Sequence, residues 1–227
     1  MGGRHRGGRQ PLNPVAAASP VACHAEKKTL IARERDDAAR AVWRAEVAAI
    51  DPAALVFGDE TATSLRLAPL RGRAPRGDRL VERTPRGRWA SGTYLASFSL
   101  VGIGPSVLLP GALDRLALDR FVAQELAPRL VPGQVVVWDN LSVHKSVRSR
   151  ALIEAAGCRL RFLPTYSPDF NPIEQAFAKL KTHLRRRRPR AFPALVAATA
   201  EAIEQITPAD AAGFFTAAGF PPTGHKL

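Results

Sequence analysis

Short apolar runs recur along the chain, and each one ends at a glycine, a proline or a charged residue. The run at 134–138 consists mainly of β-branched residues, as expected for a buried central strand. Gly and Pro at 102–105 predict a turn, so the residues on either side of it form a hairpin. The predicted strands lie at residues 53–57, 93–101, 106–109, 134–138 and 158–163.

Apolar residues at helical spacing predict helices between and after these strands. The first helix, 25–50, has an apolar stripe and an opposite face of alternating charge; the stripe contains Leu30, Ile31, Val42, Trp43, Val47 and Ile50. Further helices are predicted at 118–130, at 147–156, from Ile173 onward, at 194–206 and at 208–218. The order of elements predicts an α/β fold, a mixed β-sheet with helices on both faces. Ligands of such sheets bind at the C-terminal ends of the strands.

The 227 residues suffice for one well-buried domain with additional segments at its ends. Residues 1–25 are rich in Gly, Arg, Pro and Ala, which predicts a disordered basic leader. Residues 26–50 are predicted to be a linker helix, and residues 221–227 a short tail. The remaining segment, 51–220, is the predicted main domain.

Charge and cysteine content narrow the class of protein. Lys and Arg number 33 against 20 Asp and Glu, a net charge of +13. The resulting isoelectric point near 11.0 indicates a polyanionic partner, most often nucleic acid. Cys23 and Cys158 are too far apart for a zinc ribbon or a disulfide framework, which favours a reducing cytoplasm. No apolar run reaches the roughly 18 residues of a membrane span, so no membrane partner is expected.

Three carboxylates occupy positions that predict a metal site. Asp59 and Asp139 each follow a predicted strand, and Glu174 lies in the first turn of a helix after a proline-rich loop. Converging carboxylates repel one another unless a cation lies between them, and Mg²⁺ or Mn²⁺ prefers such oxygen ligands. Each acid alone has an ordinary alternative role, as a turn residue, a helix cap or a charge that complements the helix dipole. Glu60 is predicted to point away from Asp59 and not to be a ligand.

Basic residues in two stretches are candidates for contact with DNA phosphates. One is an arginine-rich loop at 71–88, and the other leaves the helix that carries Glu174. A solvated surface is the alternative explanation for both, and a cap of the local turn is the alternative for His144. The predicted DNA-binding residues are Arg71, Arg73, Arg76, His144, Lys145, Lys179, Lys181, Arg185, Arg186, Arg187 and Arg188.

Three segments resemble the DDE transposases of the bacterial insertion-sequence branch of the mariner superfamily. They are LVFGDET at 55–61, VVVWDNLSVHKS at 135–146 and LPTYSPDFNPIEQAFAKLK at 163–181. The last is the most specific, because it resembles the proline-rich block before the third catalytic acid of that family. The 34 residues between Asp139 and Glu174 also match the spacing in the family. The resemblance covers about residues 25–220.

The resemblance implies an RNase H-like catalytic domain with Asp59, Asp139 and Glu174 as catalytic residues and ligands of two Mg²⁺ or Mn²⁺ ions. The implied reaction is cleavage of double-stranded DNA at transposon ends, followed by attack of the freed 3′-OH on target DNA at TA dinucleotides. The ions would clamp the attacking and leaving oxygens. A homodimer in a synaptic complex is implied as well, in the bacterial cytoplasm and associated with the nucleoid when bound to DNA.

The front of the chain departs from this family. Relatives carry helix-turn-helix domains before the first acid, whereas 58 residues precede Asp59 here. A second reading frame joined to a separate helix-turn-helix partner frame, or a decayed fragment, would each explain the difference. The competing function is therefore a non-catalytic basic DNA-binding remnant of a transposase. Another RNase H-like nuclease, such as a junction resolvase, is a third reading, and the NPIE sequence at 171–174 argues against it.

Overall fold

The computed structural model describes residues 32–79, 81 and 91–222. Within these residues five strands form one sheet in the order β3-β2-β1-β4-β5. β1 pairs antiparallel with β2, which pairs antiparallel with β3, whereas β4 pairs parallel with both β1 and β5. The strands are β1 (Leu55–Ser64), β2 (Ser91–Ser99), β3 (Gly102–Pro110), β4 (Val135–Trp138) and β5 (Arg159–Phe162).

Six α-helices accompany the sheet in the described part of the chain. Proline, serine, threonine or aspartate stands at or just inside most of their N-termini, where the first backbone N–H groups lack partners within the helix. The helices are α1 (Asp37–Val47), α2 (Arg115–Phe121), α3 (Val147–Ala155), α4 (Ile173–Arg187), α5 (Phe192–Glu204) and α6 (Pro208–Ala217).

The helices cover both faces of the sheet, and each face has its own apolar core. Leu55, Phe57 and the other strand residues of the same parity pack against α1, α4, α5 and α6. Val56 and its counterparts on β2 and β4 point the other way, against α2, α3 and the residues that follow α2. Successive side chains of a strand face opposite sides of a sheet, so this alternation follows from strand geometry. The predicted mixed sheet with helices on both faces is confirmed.

The first helix is shorter than predicted. Within the described residues it begins at Asp37, because the carboxylate of Asp36 caps it by accepting a hydrogen bond from the backbone N–H of Ala39 at 2.9 Å. Residues 25–31 of the predicted helix lie outside the described residues. Trp43 and Val47 of the predicted stripe are buried, whereas Val42 is 59% exposed. The assignment of Val42 to the buried face was therefore wrong.

The first strand is longer than predicted and does not end before Asp59. It continues to Ser64, because β2 lies alongside it in register from Phe57 to Ser64 and supplies hydrogen-bond partners. The following hairpin turns at 100–101, so residues 102–105, which were predicted to be the turn, belong to β3. Gly102 opens β3 with a φ of +111° that suits glycine. The second helix is regular only to Phe121, and its last turns to Arg129 are first wider and then tighter than an α-helix.

Other predicted segments lie wholly or partly outside the described residues. They are the leader at 1–25, the part of the arginine-rich loop at 82–88, and residues 223–227 of the tail. The described part of the loop, 71–79, contains neither helix nor strand. No helix among the described residues combines the length and apolar character needed to cross a bilayer.

Candidate active site

Asp59 lies inside β1 on the sheet face that packs against α4. Its neighbours of the same parity, Leu55 and Phe57, belong to that core, and Asp59 itself is 7% exposed. One carboxylate oxygen accepts a hydrogen bond from the backbone N–H of Glu60 at 2.7 Å. The other accepts a hydrogen bond from Nδ2 of Asn171 at 2.8 Å. Asp59 is thus a buried acid held by two neutral donors.

Asp139 follows β4 directly, as predicted. Since β4 runs parallel to β1 and next to it, Asp139 lies at the same edge of the sheet as Asp59. Its Oδ1 atom accepts a hydrogen bond from the backbone N–H of Leu141 at 3.1 Å and also contacts Nδ1 of His144. The first of these contacts closes the turn that leads the chain away from the strand.

Glu174 lies in the first turn of α4, also as predicted, and a fixed loop brings it to the same edge. Oδ1 of Asn171 accepts a hydrogen bond from the backbone N–H of Ile173 at 3.4 Å, while the amide group of Asn171 holds Asp59. The guanidinium of Arg40 donates to Asp169 at 2.6 and 2.9 Å and lies 3.9 Å from the ring centre of Phe170. The loop before Glu174 is therefore tied to α1 and to β1.

The three acids line one cavity of about 270 Å³. Its other walls come from the turn after β4 and from the loop before α4, including the exposed side chain of Tyr166. Tyr166 has a φ of +55°, in the left-handed region that non-glycine residues rarely occupy. The tertiary structure thus brings together the three acids that the sequence predicted, although 80 positions separate Asp59 from Asp139.

The cavity carries an excess of negative charge. Burial raises the pKa of Asp59 to about 8, and repulsion from Asp139, Glu60 and Glu174 acts in the same direction. Partial burial also raises the pKa of Glu174 above its ordinary value; the positive charge of Lys181 opposes this shift, and Asp139 and Glu60 add to it. Carboxylates perturbed in this way favour either a proton or a cation in the cavity.

The donor chemistry of the cavity fits a divalent cation such as Mg²⁺ or Mn²⁺, which prefers carboxylate oxygens. As the side chains stand, no three His, Cys, Asp or Glu residues within the described ranges share a point where one ion could sit. The side chain of Glu174 is exposed and makes no hydrogen bond or ion pair to any described residue. The predicted metal ligands therefore remain a prediction that this donor set supports.

His144 lies where the predicted contact with DNA cannot be made. Its side chain is fully buried between Asp139 and Glu60, with Nε2 at 2.8 Å from Oε2 of Glu60. Burial lowers the pKa of His144, but the hydrogen bonds to Asp139 and Glu60 outweigh it and raise the pKa to about 9. The assignment of His144 to the DNA-binding surface was therefore wrong, because both ring nitrogens face carboxylates inside the protein.

Glu60 points away from Asp59, as expected for adjacent residues of a strand, and on the opposite face it meets His144. Sequence reasoning therefore missed a role for Glu60. The signal available in the sequence was a histidine, His144, five residues after Asp139, together with an acid next to Asp59. Asn171, which holds Asp59, was missed as well, although it belongs to the NPIE sequence.

The predicted DNA-binding residues differ in how far they are available to a ligand. Arg71, Arg73, Arg76 and Lys145 are exposed. Lys179 forms an ion pair with Asp210 at 2.7 Å, and Arg187 forms one with Glu201 at 2.7 Å. Lys181 and Arg185 are half-buried, whereas Arg186 and Arg188 are exposed. The basic run on α4 is thus partly neutralised by the helices packed against it.

The strand order, with helices on both faces of the sheet, defines an RNase H-like fold; Asp59 lies inside β1, Asp139 directly after β4 and Glu174 at the start of α4. Residues 54–196 match the family model described as DDE superfamily endonuclease. Since the match spans more than half of the chain, the protein belongs to this family. No curated protein matches the sequence.

Solved structures of the Mos1 mariner transposase share this fold. The Mos1 paired-end complex with the left transposon end is 13% identical, with a TM-score of 0.68 over 86% of this chain and 63% of the Mos1 chain. The paired-end complex with Mn is 15% identical, with a TM-score of 0.65 over 87% of this chain and 64% of the other. The isolated Mos1 catalytic domain is 14% identical, with a TM-score of 0.55 over 80% and 83% of the two chains. The chain spans less than two thirds of the full Mos1 chains.

Proposed function

We propose that the protein is the catalytic domain of a transposase of the bacterial insertion-sequence branch of the mariner superfamily. It cleaves double-stranded DNA at transposon ends and joins the freed 3′-OH to target DNA at TA dinucleotides. Mg²⁺ or Mn²⁺, as two ions, is the proposed cofactor. Membership of the DDE endonuclease family supports a nuclease of this general kind.

The observation that carries the proposal is the cavity where Asp59, Asp139 and Glu174 meet on an RNase H-like sheet. Asp59 is buried, whereas Asp139 is half-buried and Glu174 exposed, and a buried carboxylate beside two other acids is costly unless it binds a cation. Burial raises the pKa of Asp59 most, and repulsion from the neighbouring acids adds to it; a bound cation would offset both. Stability alone does not explain three acids at this point of the fold.

In the proposed reaction Asp59, Asp139 and Glu174 would hold the ions, and such ions would supply activation of the attacking oxygen and stabilisation of the leaving oxygen in a phosphoryl transfer. Asn171 keeps the carboxylate of Asp59 oriented by donating to it from across the loop. The exposed arginines of the 71–79 loop, with Lys145 and Arg186, attract the DNA phosphates. Burial of Asp59 keeps bulk water from its carboxylate.

The synaptic homodimer and the recognition of transposon ends belong to the same proposal. Mos1 is a precedent, since its transposase has been solved as a paired-end complex with transposon DNA. Recognition of the ends by this protein is proposed to involve a separate helix-turn-helix partner frame. Metal-dependent cleavage of DNA is the activity to seek first.

The test is nicking of supercoiled plasmid by the purified chain with Mn²⁺ or Mg²⁺, beside Asp139→Asn. We expect metal-dependent nicking by the parent and a loss of roughly a hundredfold in the variant, because Mg²⁺ is usually held through carboxylates and the neutral amide lacks their charge. Asp114→Asn is the matched control. Asp114 is an exposed cap of α2, and asparagine caps a helix as well as aspartate does.

Equal nicking by the parent and by Asp139→Asn would show that the acids do not carry the reaction. DNA binding without any nicking, in Mg²⁺ and in Mn²⁺, would favour the non-catalytic DNA-binding remnant. Loss of nicking in Asp114→Asn as well would point to a general loss of folding, which circular dichroism of both variants detects.

A further inference from the structure

The two carboxylate oxygens of Asp139 have different environments. Oδ1 accepts from the backbone N–H of Leu141 at 3.1 Å and contacts Nδ1 of His144. Oδ2 accepts no hydrogen bond from any residue in the described ranges. Because Asp139 lines the acid cavity, the orientation of its carboxylate decides which of the two oxygens faces that cavity.

His144 has little freedom to leave Asp139. Its side chain is fully buried, and its ring lies against the indole of Trp138 with 4.7 Å between ring centres. The ring nitrogen that does not face Asp139 is 2.8 Å from Glu60. A rotation that released Asp139 would also break the contact with Glu60, so the two hydrogen bonds hold the ring jointly.

The contact with Glu60 extends this arrangement to β1. Glu60 is adjacent to Asp59 in the strand, so the link from Glu60 through His144 to Asp139 joins the two strands that carry the first two acids. The chain after His144 is fixed as well, because the hydroxyl of Ser146 donates to buried Asp119 at 2.5 Å and caps α3. The segment that carries His144 is thus anchored on both sides.

We propose that His144 is a positioning residue that occupies Oδ1 of Asp139 and leaves Oδ2 directed toward the cation site. This inference rests on the proposed function. Glu60 is the second member of the arrangement, since it holds the ring of His144 in the orientation that Asp139 needs. A residue that orients a metal ligand typically changes metal affinity 10- to 100-fold when it is replaced, by the general behaviour of such partners.

Two substitutions separate the two contacts of His144. In His144→Asn the amide nitrogen takes the place of Nδ1, so a donor to Asp139 remains and the contact with Glu60 is lost. In His144→Gln the amide nitrogen takes the place of Nε2, so the contact with Glu60 remains and the donor to Asp139 is lost. Both variants remove the imidazole ring, and both are neutral.

The readout is the dissociation constant of Mn²⁺, obtained from the signal of free Mn²⁺ in electron paramagnetic resonance, with and without a DNA duplex. We expect His144→Asn to bind Mn²⁺ within about threefold of the parent and His144→Gln to bind roughly tenfold or more weakly. Phe215→Leu is the control for lost stability. Phe215 is a buried residue of α6 and does not line the acid cavity.

Equal Mn²⁺ affinity in the parent and in both His144 variants would overturn the positioning role, and the proposed function would stand. Equal weakening in both His144 variants and in Phe215→Leu would also overturn it, because the effect would then follow stability. A parent that binds no Mn²⁺, alone or with DNA, would contradict the proposed function itself and the inference with it. The parent and the variants therefore report on separate claims.

Discussion

The two sides of the sheet treat neighbouring acids of β1 in opposite ways. On the α4 side Asp59 is buried with only neutral donors, Asn171 and the backbone N–H of Glu60, around it. On the other side Glu60 meets the ring of His144. The pKa of Asp59 is raised to about 8, mainly by burial, and the pKa of His144 to about 9 by its acidic partners.

The difference shows on which side of the sheet the protein neutralises its own carboxylates. On the side where Glu60 lies, the cation is His144, because an imidazole between two carboxylates keeps its proton at neutral pH. On the α4 side no cation of the described residues contacts Asp59, although Asp139 and Glu174 add to the repulsion around it. We call the His144 side the closed side and the α4 side the open side. The closed side stabilises the fold, and the open side provides a place for a ligand of positive charge.

The largest expected effect comes from removing the imidazole of His144 from the closed side. His144→Leu removes the cation and leaves Glu60 and Asp139 facing an apolar group. We expect the free energy of unfolding to fall by about 3 kcal/mol, because removal of one partner strands the other charges. Urea denaturation at pH 7 in EDTA measures this loss. A loss below about 0.5 kcal/mol would show that the ring contributes little to the fold.

The next effect has the opposite sign and concerns the open side. In the folded state the pKa of Asp59 lies above its ordinary value of 3.8, so the folded chain binds this proton more tightly than the unfolded chain. The free energy of unfolding therefore falls as pH rises from about 4 to about 8. Asp59→Asn should remove this dependence and stabilise the metal-free chain at pH 8 by on the order of 2 kcal/mol.

Denaturation of both proteins at pH 5 and pH 8 in EDTA tests this expectation. The gain from Asp59→Asn should be larger at pH 8 than at pH 5. Equal stability differences at the two pH values would mean that the carboxylate of Asp59 titrates normally.

A third prediction concerns the packing that supports His144. A β-carbon on Gly58 would lie 2.7 Å from the side chain of Trp138, which itself packs on His144. Gly58→Ala should therefore cost about 1–2 kcal/mol of stability by overpacking. Gly213→Ala is the matched control. Nothing lies within 4 Å of the added carbon there, and alanine favours the helix, so thermal unfolding should show a small gain.

The smallest expected effect comes from binding of Mn²⁺ in the acid cavity on the open side. An ion at ten times its dissociation constant stabilises the folded state by about 1.4 kcal/mol, a rise of a few degrees in Tm for a domain of this size. Thermal unfolding with millimolar Mn²⁺ measures this rise. The rise should vanish in Asp59→Asn and persist in Asp114→Asn. A rise of the same size in all three proteins would place the ion elsewhere.

Local pattern predicted most elements of the fold, and the errors lie where tertiary pairing took over. β4 was predicted to within one residue, because β-branched residues followed directly by Asp139 mark both its type and its end. β1 was predicted too short, because polar Asp59 and Glu60 mimic a strand end. The pairing partner that continues it, β2, begins 27 positions after β1 ends.

The same distinction holds for the site. Asp139 and Glu174 were predicted because acids after strands and in first helical turns form a pattern visible in the sequence; Asp59 was predicted by the same pattern, although it lies inside β1. The link from Glu60 through His144 was missed, since it joins residues 84 positions apart. The ion pair of Arg40 with Asp169, 129 positions apart, was missed for the same reason.

The sequence by itself determined the sheet with helices on both faces, the excess of basic residues and the identity of the three acids. These features depend on the spacing of residue types over a few positions, which strand and helix geometry translate directly into structure. Only the tertiary structure decided that Glu60 and Asp139 meet the imidazole of His144, whereas Asp59 has only neutral donors beside it. Adjacent residues of a strand face opposite sides of the sheet, and the side chains that they contact there come from distant parts of the chain.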